Sequence, residues 1–324
     1  MGENMREVDP AGAYRLIAGN VQQVIQGKPE TVRLAVAALL AEGHLLIEDV
    51  PGLGKTSLAR ALARSIGGSL RRIQFTPDLL PGDITGVMVF NQGTAAFDFH
   101  PGGIFANIVV ADEINRGTPK TQSALLEVME ERTVTVDSLR YDVPRPFLVV
   151  ATQNPVDMDG TYRLPEAQLD RFLMRIEVGY PDHDAEMRIV QGDRAGVSPD
   201  QLRPVVDTDA LTLAIAAVRQ AHLDPEVCSY AVRLCAATRQ HPMVRLGASP
   251  RGSLALVRAA SAFAATEARP YVTPDDVKAV ARPVLAHRII LTPEAEIRGE
   301  RSADVVDQLL RETPAPGNRS RQLV

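Results

Sequence analysis

Hydrophobic positions follow two different patterns along the chain, and the change falls near residue 181. Residues 11–42 carry apolar side chains at helical spacing, as at Val32, Val36 and Leu39. From residue 45 onwards, short apolar runs alternate with helical stretches. Continuous runs cover residues 45–47, 108–111 and 147–151, and an alternating segment covers 72–75. Such runs between helices favour a parallel sheet that is covered by helices on both faces.

Start and turn signals place the elements between these runs. A helix is predicted from Lys55 to Ile66, after a glycine-rich turn. A second helix is predicted where Thr118 can act as the N-cap with Pro119 at the first helical position. The segments 133–136 and 141–143 are typical of a short hairpin, and residues 76–107 are interpreted as a loop rich in proline and glycine.

Beyond residue 181 the strand signals fade and helix starts become frequent. Each start pairs a capping side chain with a proline, at Asp224-Pro225, Ser249-Pro250 and Thr273-Pro274. Asp276 adds a near capping-box arrangement to the last of these. We therefore predict an α/β core over residues 1–181, including a helical N-terminal segment. A smaller all-helical lid domain over 182–312 and a disordered tail over 313–324 complete the prediction.

Composition narrows the class of protein. The chain has 324 residues, of which 45% are hydrophobic but only 4% aromatic, so aliphatic side chains must fill the core. The net charge of -5 argues against a generic basic surface for nucleic acid. The first ten residues contain no apolar signal core, and the longest apolar run, 211–218, is too short to span a bilayer. We expect a soluble, cytoplasmic protein. Its six histidines show no metal-ligand spacing.

The turn before the helix at Lys55 carries a phosphate-binding pattern. Gly54-Lys55-Thr56 follows a predicted strand and opens a helix, so backbone N–H groups and the helix N-terminus can approach an anion. Lysine at this position reaches the β- and γ-phosphates, and threonine can bind Mg²⁺. Asp49 replaces the first glycine of the usual pattern. A helix that merely begins with Gly-Lys is the ordinary alternative, but the preceding strand makes phosphate binding the better reading.

Two acids end the next buried strand. Asp112 and Glu113 follow the apolar run 108–111. In phosphate-loop proteins the first such acid holds Mg²⁺ and the second polarises the attacking water. A solvated acidic turn is the structural alternative. The position of these acids, after the phosphate loop in the chain, favours the catalytic interpretation.

Several longer motifs together resemble those of the MoxR family of AAA+ ATPases. The resemblance runs from about residue 15 to about residue 290. The motifs lie at residues 75–81, 101–107, 112–116, 119–122, 125–127, 151–155 and 164–172. The resemblance implies an AAA+ P-loop core with a helical lid, hydrolysis of ATP with Mg²⁺, and a hexameric ring. No guanine-recognition signature is present, which also favours ATP over GTP.

The resemblance also implies roles for individual residues. Walker A would comprise Pro51, Gly52, Leu53, Gly54, Lys55, Thr56 and Ser57, with Thr56 as a metal ligand. Walker B would comprise the metal ligand Asp112 and the catalytic Glu113. Asn154 would be sensor 1. Arg171 would be the arginine finger for the neighbouring subunit, and Arg251 would be sensor 2, reaching the nucleotide of its own subunit.

Elementary physical chemistry bears on these two arginines and on Arg116. Arg251 lies in the first turn of a predicted helix, where the dipole disfavours a cation, so an anionic partner is expected. Arg171 follows Asp170 and could instead form a surface ion pair with it. Arg116 could contact nucleotide across the ring, or could be an exposed arginine at a helix entry.

Three functions fit these motifs. The first is a chaperone-like remodeller of a protein client, whose partners, by resemblance, carry a von Willebrand factor A domain. The second is a nucleic-acid motor that uses the predicted hairpin, but this hairpin has only one basic residue, Arg140, with Asp137 and Asp142 beside it. The third is a motor subunit like that of magnesium chelatase.

Overall fold

The computed structural model describes residues 9–50, 52–154, 162, 164–194 and 198–317. Its first part contains α1 (Pro10–Val21), α2 (Pro29–Leu40), β1 (Leu45–Glu48), α3 (Lys55–Ser65), β2 (Leu70–Gln74), α4 (Pro81–Thr85), β3 (Val87–Asn91), β4 (Ala96–His100), β5 (Ile108–Asp112), α5 (Pro119–Glu131), β6 (Thr133–Val136), β7 (Leu139–Asp142), β8 (Leu148–Gln153), α6 (Glu166–Leu169) and β9 (Met174–Ile176). Its second part contains α7 (His183–Arg194), α8 (Thr208–Arg219), α9 (Pro225–Gln240), β10 (Val244–Leu246), α10 (Pro250–Thr266), α11 (Pro274–Leu285), β11 (Ile290–Leu291), α12 (Pro293–Ile297) and α13 (Ser302–Glu312).

Five parallel strands form the central sheet, in the order β2-β5-β8-β1-β9. Alternate residues of the inner strands enter two different hydrophobic clusters. On β5, Ile108 and Val110 belong to one cluster, whereas Val109 and Ala111 belong to the other. Both faces of the sheet are therefore covered, which confirms the α/β core that the apolar runs predicted.

The strand directions define two ends of this sheet. The register pairs Glu48 with Gln153 and Ala111 with Ala151, so β1, β5 and β8 all finish at the same end. We call this end the carboxyl edge, and the end where the strands begin the amino edge. Ligands of open α/β sheets bind at the carboxyl edge, outside the ends of the strands.

The second part is mainly helical and packs against the N-terminal helices. Helix α10 lies against α11 and also contacts α1 and α2. The guanidinium of Arg33 on α2 stacks 3.8 Å from the ring centre of Phe263 on α10. Buried residues of both parts belong to one hydrophobic cluster. The boundary between core and lid near residue 181 stays a prediction.

Local signals predicted the helix starts well. Thr118, Asp224, Ser249 and Thr273 are all N-caps whose side chains accept a backbone N–H, each with a proline in the first turn. Thr273 and Asp276 form a full capping box. Within the described part of the chain, no helix is long and apolar enough to cross a membrane.

The sequence missed several short strands. The segment interpreted as a loop contains the antiparallel hairpin β3–β4, and the lid carries the small antiparallel pair β10–β11. Strands of two or three residues, such as β11 and β9, are too short for a period to appear. In the predicted tail, the carbonyl of Pro314 accepts a hydrogen bond from Arg233 at 3.1 Å. Pro51 and residues 318–324, on which sequence predictions also fall, lie outside the described residues.

Candidate active site

The turn between β1 and α3 has the backbone of a phosphate loop. Gly52 and Gly54 adopt φ values of +87° and +82°, which other residues rarely adopt. Apart from its chain neighbours, no described residue has a heavy atom within 4 Å of the position of a Cβ on Gly52, so this side of the turn has room for a ligand. Helix α3 begins at Lys55 and directs its free N–H groups towards the turn, with Thr56 and Ser57 in its first turn.

Asp49, the departure from the usual pattern, has a structural task. Its Oδ2 accepts hydrogen bonds from the backbone N–H groups of Val178 (2.9 Å) and Gly179 (2.6 Å). Its Oδ1 accepts from the N–H of Val50 at 2.9 Å. The carboxylate thus ties the start of the phosphate loop to the segment that follows β9. The aspartate therefore strengthens this turn.

Lys55 faces the acidic end of the site. Its Nζ donates to the Asp49 carbonyl at 2.6 Å. Burial lowers the pKa of this ammonium, and the carboxylates of Asp49, Asp112 and Glu113 oppose the shift. The structure thus brings Lys55 into the field of both predicted acids.

Asp112 ends β5 as a buried carboxylate with two partners. Its Oδ2 accepts from Arg72 Nε at 2.6 Å, and its Oδ1 accepts from the Thr152 hydroxyl at 3.2 Å. The side chain of Arg72 is half exposed, whereas that of Asp112 is only 8% exposed. A cation therefore already balances Asp112, in the place where the carboxylate would bind Mg²⁺.

Glu113 is held in an unusual backbone conformation. Its φ of 53° lies in the left-handed region, which is costly for a residue with a side chain. Its N–H donates to the Thr152 hydroxyl at 3.0 Å. Its Oε2 accepts from Gln74 Nε2 and from Arg116 Nη1, both at 3.0 Å. Arg116, whose role the sequence left open, pairs here with Glu113 of its own chain.

Asn154 directly follows β8, the strand between β5 and β1. It is buried at 7% exposure. Gln153 beside it accepts a hydrogen bond from the N–H of Asp49 at 3.2 Å, which joins the end of β8 to the phosphate loop. The predicted sensor 1 thus lies at the carboxyl edge with Lys55, Asp112 and Glu113, which are predicted Walker A and Walker B residues.

Sequence reasoning missed three residues of this site: Arg72, Gln74 and Thr152. Arg72 and Gln74 lie two positions apart on β2, and Gln74 is in register with Asp112. Residues two apart share one face of a strand, so this alternation was a signal. To interpret this alternation, the order of the strands in the sheet must be known, and no local sequence pattern predicts that order. Thr152 was within a quoted motif but had no assigned role.

The residues of this site fit Mg²⁺ and a nucleoside triphosphate. The glycine turn and the α3 N-terminus would provide donors for phosphates, Lys55 would provide a cation, and Thr56 and Asp112 would provide oxygen ligands for the metal. Asp112 already attracts the guanidinium of Arg72, which is evidence that the carboxylate favours a cation there. Arranged in this way, the carboxyl edge can perform phosphoryl transfer to water.

Arg171 and Arg251, the two arginines that were predicted to act on nucleotide, lie away from the carboxyl edge. Arg171 precedes β9, and Arg251 lies in the first turn of α10. Both border a cleft of about 240 Å³ together with Gly43 and His44, which directly precede β1. This is the amino edge of the sheet, about 13 Å of strand away from the carboxyl edge. The expectation that Arg251 reaches its own subunit's nucleotide does not agree with this placement.

We call this cleft the arginine cleft. Its charged lining residues are Glu42, Glu130, Arg132, Asp170, Arg171, Arg251, Arg258 and Arg288. Five guanidiniums thus face three carboxylates, and His44 adds no charge because burial lowers its pKa to about 4. The lining therefore carries an excess of positive charge.

Glu130 brings together Arg171 and Arg251, the two arginines predicted to act on nucleotide. Its Oε2 lies 3.2 Å from Arg171 Nη2, and its Oε1 lies 2.5 Å from Arg251 Nη2. Sequence analysis predicted an anionic partner for Arg251, and Glu130 is that partner in this structure. The pairing of Arg171 with Asp170, which was the structural alternative, does not occur: Asp170 binds Arg288 instead.

Comparison with known proteins agrees with this architecture. Residues 44–174 match the ATPase family associated with various cellular activities (AAA), and residues 236–309 match the AAA lid domain. Chaperone MoxR1 of Mycobacterium tuberculosis is 42% identical, over 95% of this chain and 86% of its own. Protein MoxR of Methylorubrum extorquens is 33% identical, over 91% of this chain and 93% of its own.

A solved structure adds a match in three dimensions. A proposed ATPase from Cytophaga hutchinsonii has a TM-score of 0.88 and 36% identity, over 94% of this chain and 96% of its own. Sequence similarity therefore extends over both the core and the lid of these relatives. The phosphate loop and the acidic strand end described above lie within the matched core. The chain is an ATP hydrolase and belongs to the MoxR family of AAA+ ATPases.

Proposed function

We propose that this ATPase works as a ring, in which Arg171 and Arg251 of one subunit complete the nucleotide site of its neighbour. The observation that carries the proposal is the placement of these arginines at the amino edge, beside His44, while Lys55 lies beyond the other end of β1. A head-to-tail interface can bring one subunit's amino edge to the next subunit's carboxyl edge, and repetition of that contact closes a ring. A hexamer is the proposed state.

Within the composite site, each residue has a separate task. Thr56 and Asp112 would hold Mg²⁺, which when bound neutralises charge on the phosphates. Lys55 would bind the terminal phosphates. Glu113 would polarise the attacking water, with Asn154 helping to orient it. Because Gln74 and Arg116 hold the Glu113 carboxylate here, Glu113 has to exchange at least one of them for the water.

The proposed task of the ring is chaperone-like remodelling of a protein client. The relative from Mycobacterium tuberculosis is named as a chaperone, which supports this reading. The net charge of -5 and the hairpin β6–β7, where Arg140 lies near Asp142, give little support to tracking along a nucleic acid. A partner with a von Willebrand factor A domain would connect the ring to its client. ATP and Mg²⁺ are the proposed ligands.

Two measurements test this function. Activity per subunit should rise with protein concentration in the range where sedimentation shows rings assembling with ATP. Glu113→Gln, held in the ATP-bound form, should retain client and partner proteins that the Lys55→Ala variant, which lacks ATP, does not retain. Constant activity per subunit in a monomeric protein would contradict the ring. Strong stimulation of ATP hydrolysis by DNA would favour a nucleic-acid motor, and specific retention of a chelatase subunit would favour the chelatase-like alternative.

A further inference from the structure

Arg288 is a buried lid residue that binds the segment carrying Arg171. It ends the short 3-10 helix Ala286–Arg288 after α11, and its side chain is only 2% exposed. Its Nε donates to Asp170 Oδ1 at 2.7 Å. Its Nη2 donates to the carbonyls of Asp170 at 3.0 Å and Phe172 at 2.7 Å. These two carbonyls flank Arg171 in the chain.

The same guanidinium has further partners around it. Its Nη1 donates to the Leu173 carbonyl at 3.2 Å and also to the carbonyl of Val284 in its own lid. Burial of this kind is costly for a guanidinium unless its donors are paired. Here all three nitrogens donate, and most of the acceptors belong to residues 170–173. The lid thus fixes the backbone on both sides of Arg171.

Asp170 extends this arrangement to Arg251. Its Oδ2 accepts from the hydroxyl of Ser249 at 2.8 Å, and Ser249 is the N-cap of α10. The hydroxyl of Ser249 in turn accepts from the N–H of Arg251 at 3.1 Å. A Cβ added to Gly252, the next residue, would lie 3.4 Å from Cδ of Arg288. Arg288 therefore packs between the segments that carry Arg171 and Arg251.

We propose that Arg288 is a positioning residue for Arg171 and Arg251, the two arginines proposed to act on the neighbour's nucleotide. Through Asp170, it holds the segments that carry them in a fixed position relative to each other. This inference rests on the proposed function, because it concerns arginines that serve the next subunit. Through Arg288 the lid acts directly on Arg171, the proposed arginine finger. A shift of α10 or of residues 286–288 would move Arg171 and Arg251 together. A lysine could keep the charge near Asp170, but its compact ammonium cannot donate to both flanking carbonyls and the carboxylate in the geometry of a guanidinium.

The test is Arg288→Lys, with steady-state ATPase kinetics and mixing experiments as readouts. We expect kcat to fall about 10- to 100-fold, since a misplacement of the order of 1 Å has such effects. The KM for ATP should stay close to that of the parent, because Lys55 and its surroundings lie at the other edge. Arg282→Lys is the matched control: it lies on α11 in an exposed pair with Asp307 and should retain parental kcat.

Mixing separates positioning from general damage. Arg288→Lys keeps an intact nucleotide site, and Lys55→Ala keeps an intact amino edge, so mixed rings should recover activity. A mixture of Arg288→Lys with Arg171→Ala should not, because both lack a functional amino edge. Parental kcat for Arg288→Lys, or a loss that Lys55→Ala subunits do not restore, overturns the proposal.

Two additions keep this test decisive. If Arg288→Lys does not fold, Asp170→Asn removes the charge that Arg288 and Ser249 share while keeping the side-chain size. It should give the same separation of kcat from KM, with recovery by Lys55→Ala; unchanged kcat overturns the proposal. The reference mixture of Arg171→Ala with Lys55→Ala distinguishes the failures. If the reference does not recover, the proposed function fails; if only the Arg288→Lys mixture does not recover, the positioning role fails.

Discussion

Glu130 pairs with Arg171 across 3.2 Å at the amino edge of the sheet, and the same carboxylate also binds Arg251. Glu130 lies in the last turn of α5, where the helix dipole disfavours a negative charge and no basic residue of that turn balances it. The two arginines supply that balance. In an isolated subunit, Glu130 therefore occupies the guanidiniums that the proposed ring would direct at a neighbour's phosphates.

Glu130→Gln should therefore favour the neighbour's phosphates as partners of both arginines. Exposed ion pairs contribute about 0.2–1 kcal/mol each, so we expect the protein concentration for half-maximal ATPase activity to fall roughly threefold or more. Titration of activity against protein concentration measures this. Glu127→Gln, one turn earlier on α5, is the control and should not shift the midpoint. A midpoint that rises in Glu130→Gln would mean that Glu130 helps to present the arginines.

Arg72→Ala should lower the Mg²⁺ concentration that half-saturates ATP hydrolysis. Arg72 lies 2.6 Å from the Asp112 carboxylate and so competes with a metal for it. Activity measured against Mg²⁺ at saturating ATP reports the change, with Arg71→Ala on the same strand as the control. An increased requirement for Mg²⁺ would show instead that Arg72 assists nucleotide or metal binding.

Glu113→Gln should bind ATP with parental affinity but hydrolyse it about 100- to 10,000-fold more slowly, because the amide keeps the shape but cannot act as a base. Calorimetry with ATP and a single-turnover assay measure the two quantities separately. Lys55→Ala should lose tight ATP binding, because the ammonium neutralises phosphate charge. Parental hydrolysis by Glu113→Gln would remove the proposed role of Glu113.

His44 should make stability depend on pH in the mildly acidic range. Its Nδ1 accepts from the Val149 N–H and its Nε2 donates to the Met129 carbonyl, each at 3.0 Å, and burial lowers its pKa to about 4. The unfolded chain binds a proton near pH 6.5 and the folded chain does not. The contribution of His44 to stability is therefore fully present above pH 6.5 and is lost progressively as the pH drops towards 4.

Urea unfolding at pH 7 and pH 5 checks this dependence. Burial also lowers the pKa of His287 well below its usual value, so His287 contributes in the same direction. His44→Gln should be less stable at pH 7 but should show a smaller loss between pH 7 and pH 5. An unchanged pH dependence in His44→Gln would contradict the assignment.

The local parts of this fold and site could be predicted from sequence. Caps such as Thr118 and Thr273 act through residues three positions away, so their patterns are visible in the chain. The placement of Lys55 and Asp112 at one site also followed, since parallel strands of one sheet all end at the same edge. Short-range chemistry and strand direction were sufficient for these features.

The remainder depended on packing between distant segments. Glu130 meets Arg251 across 121 positions of the chain, and Arg288 meets Asp170 across 118. Gln74 reaches Glu113 only because β2 pairs with β5 in the register that places Gln74 beside Asp112. For Arg251, the family resemblance suggested a partner in its own subunit, but the position of the lid against α1 and α2 brings it to the amino edge. No local pattern encodes that position.

Mixed rings test the central claim, that both arginines act across the subunit interface. Arg171→Ala and Arg251→Ala each keep an intact phosphate site, and Lys55→Ala keeps intact arginines. In a random equimolar ring, about a quarter of the head-to-tail interfaces join an intact site to an intact amino edge. The ATPase rate of each mixture, with mixed assembly verified by labelled subunits, should therefore recover to a fraction of the parental rate. No recovery in verified mixed rings would mean that the arginine concerned acts within its own subunit or only maintains structure.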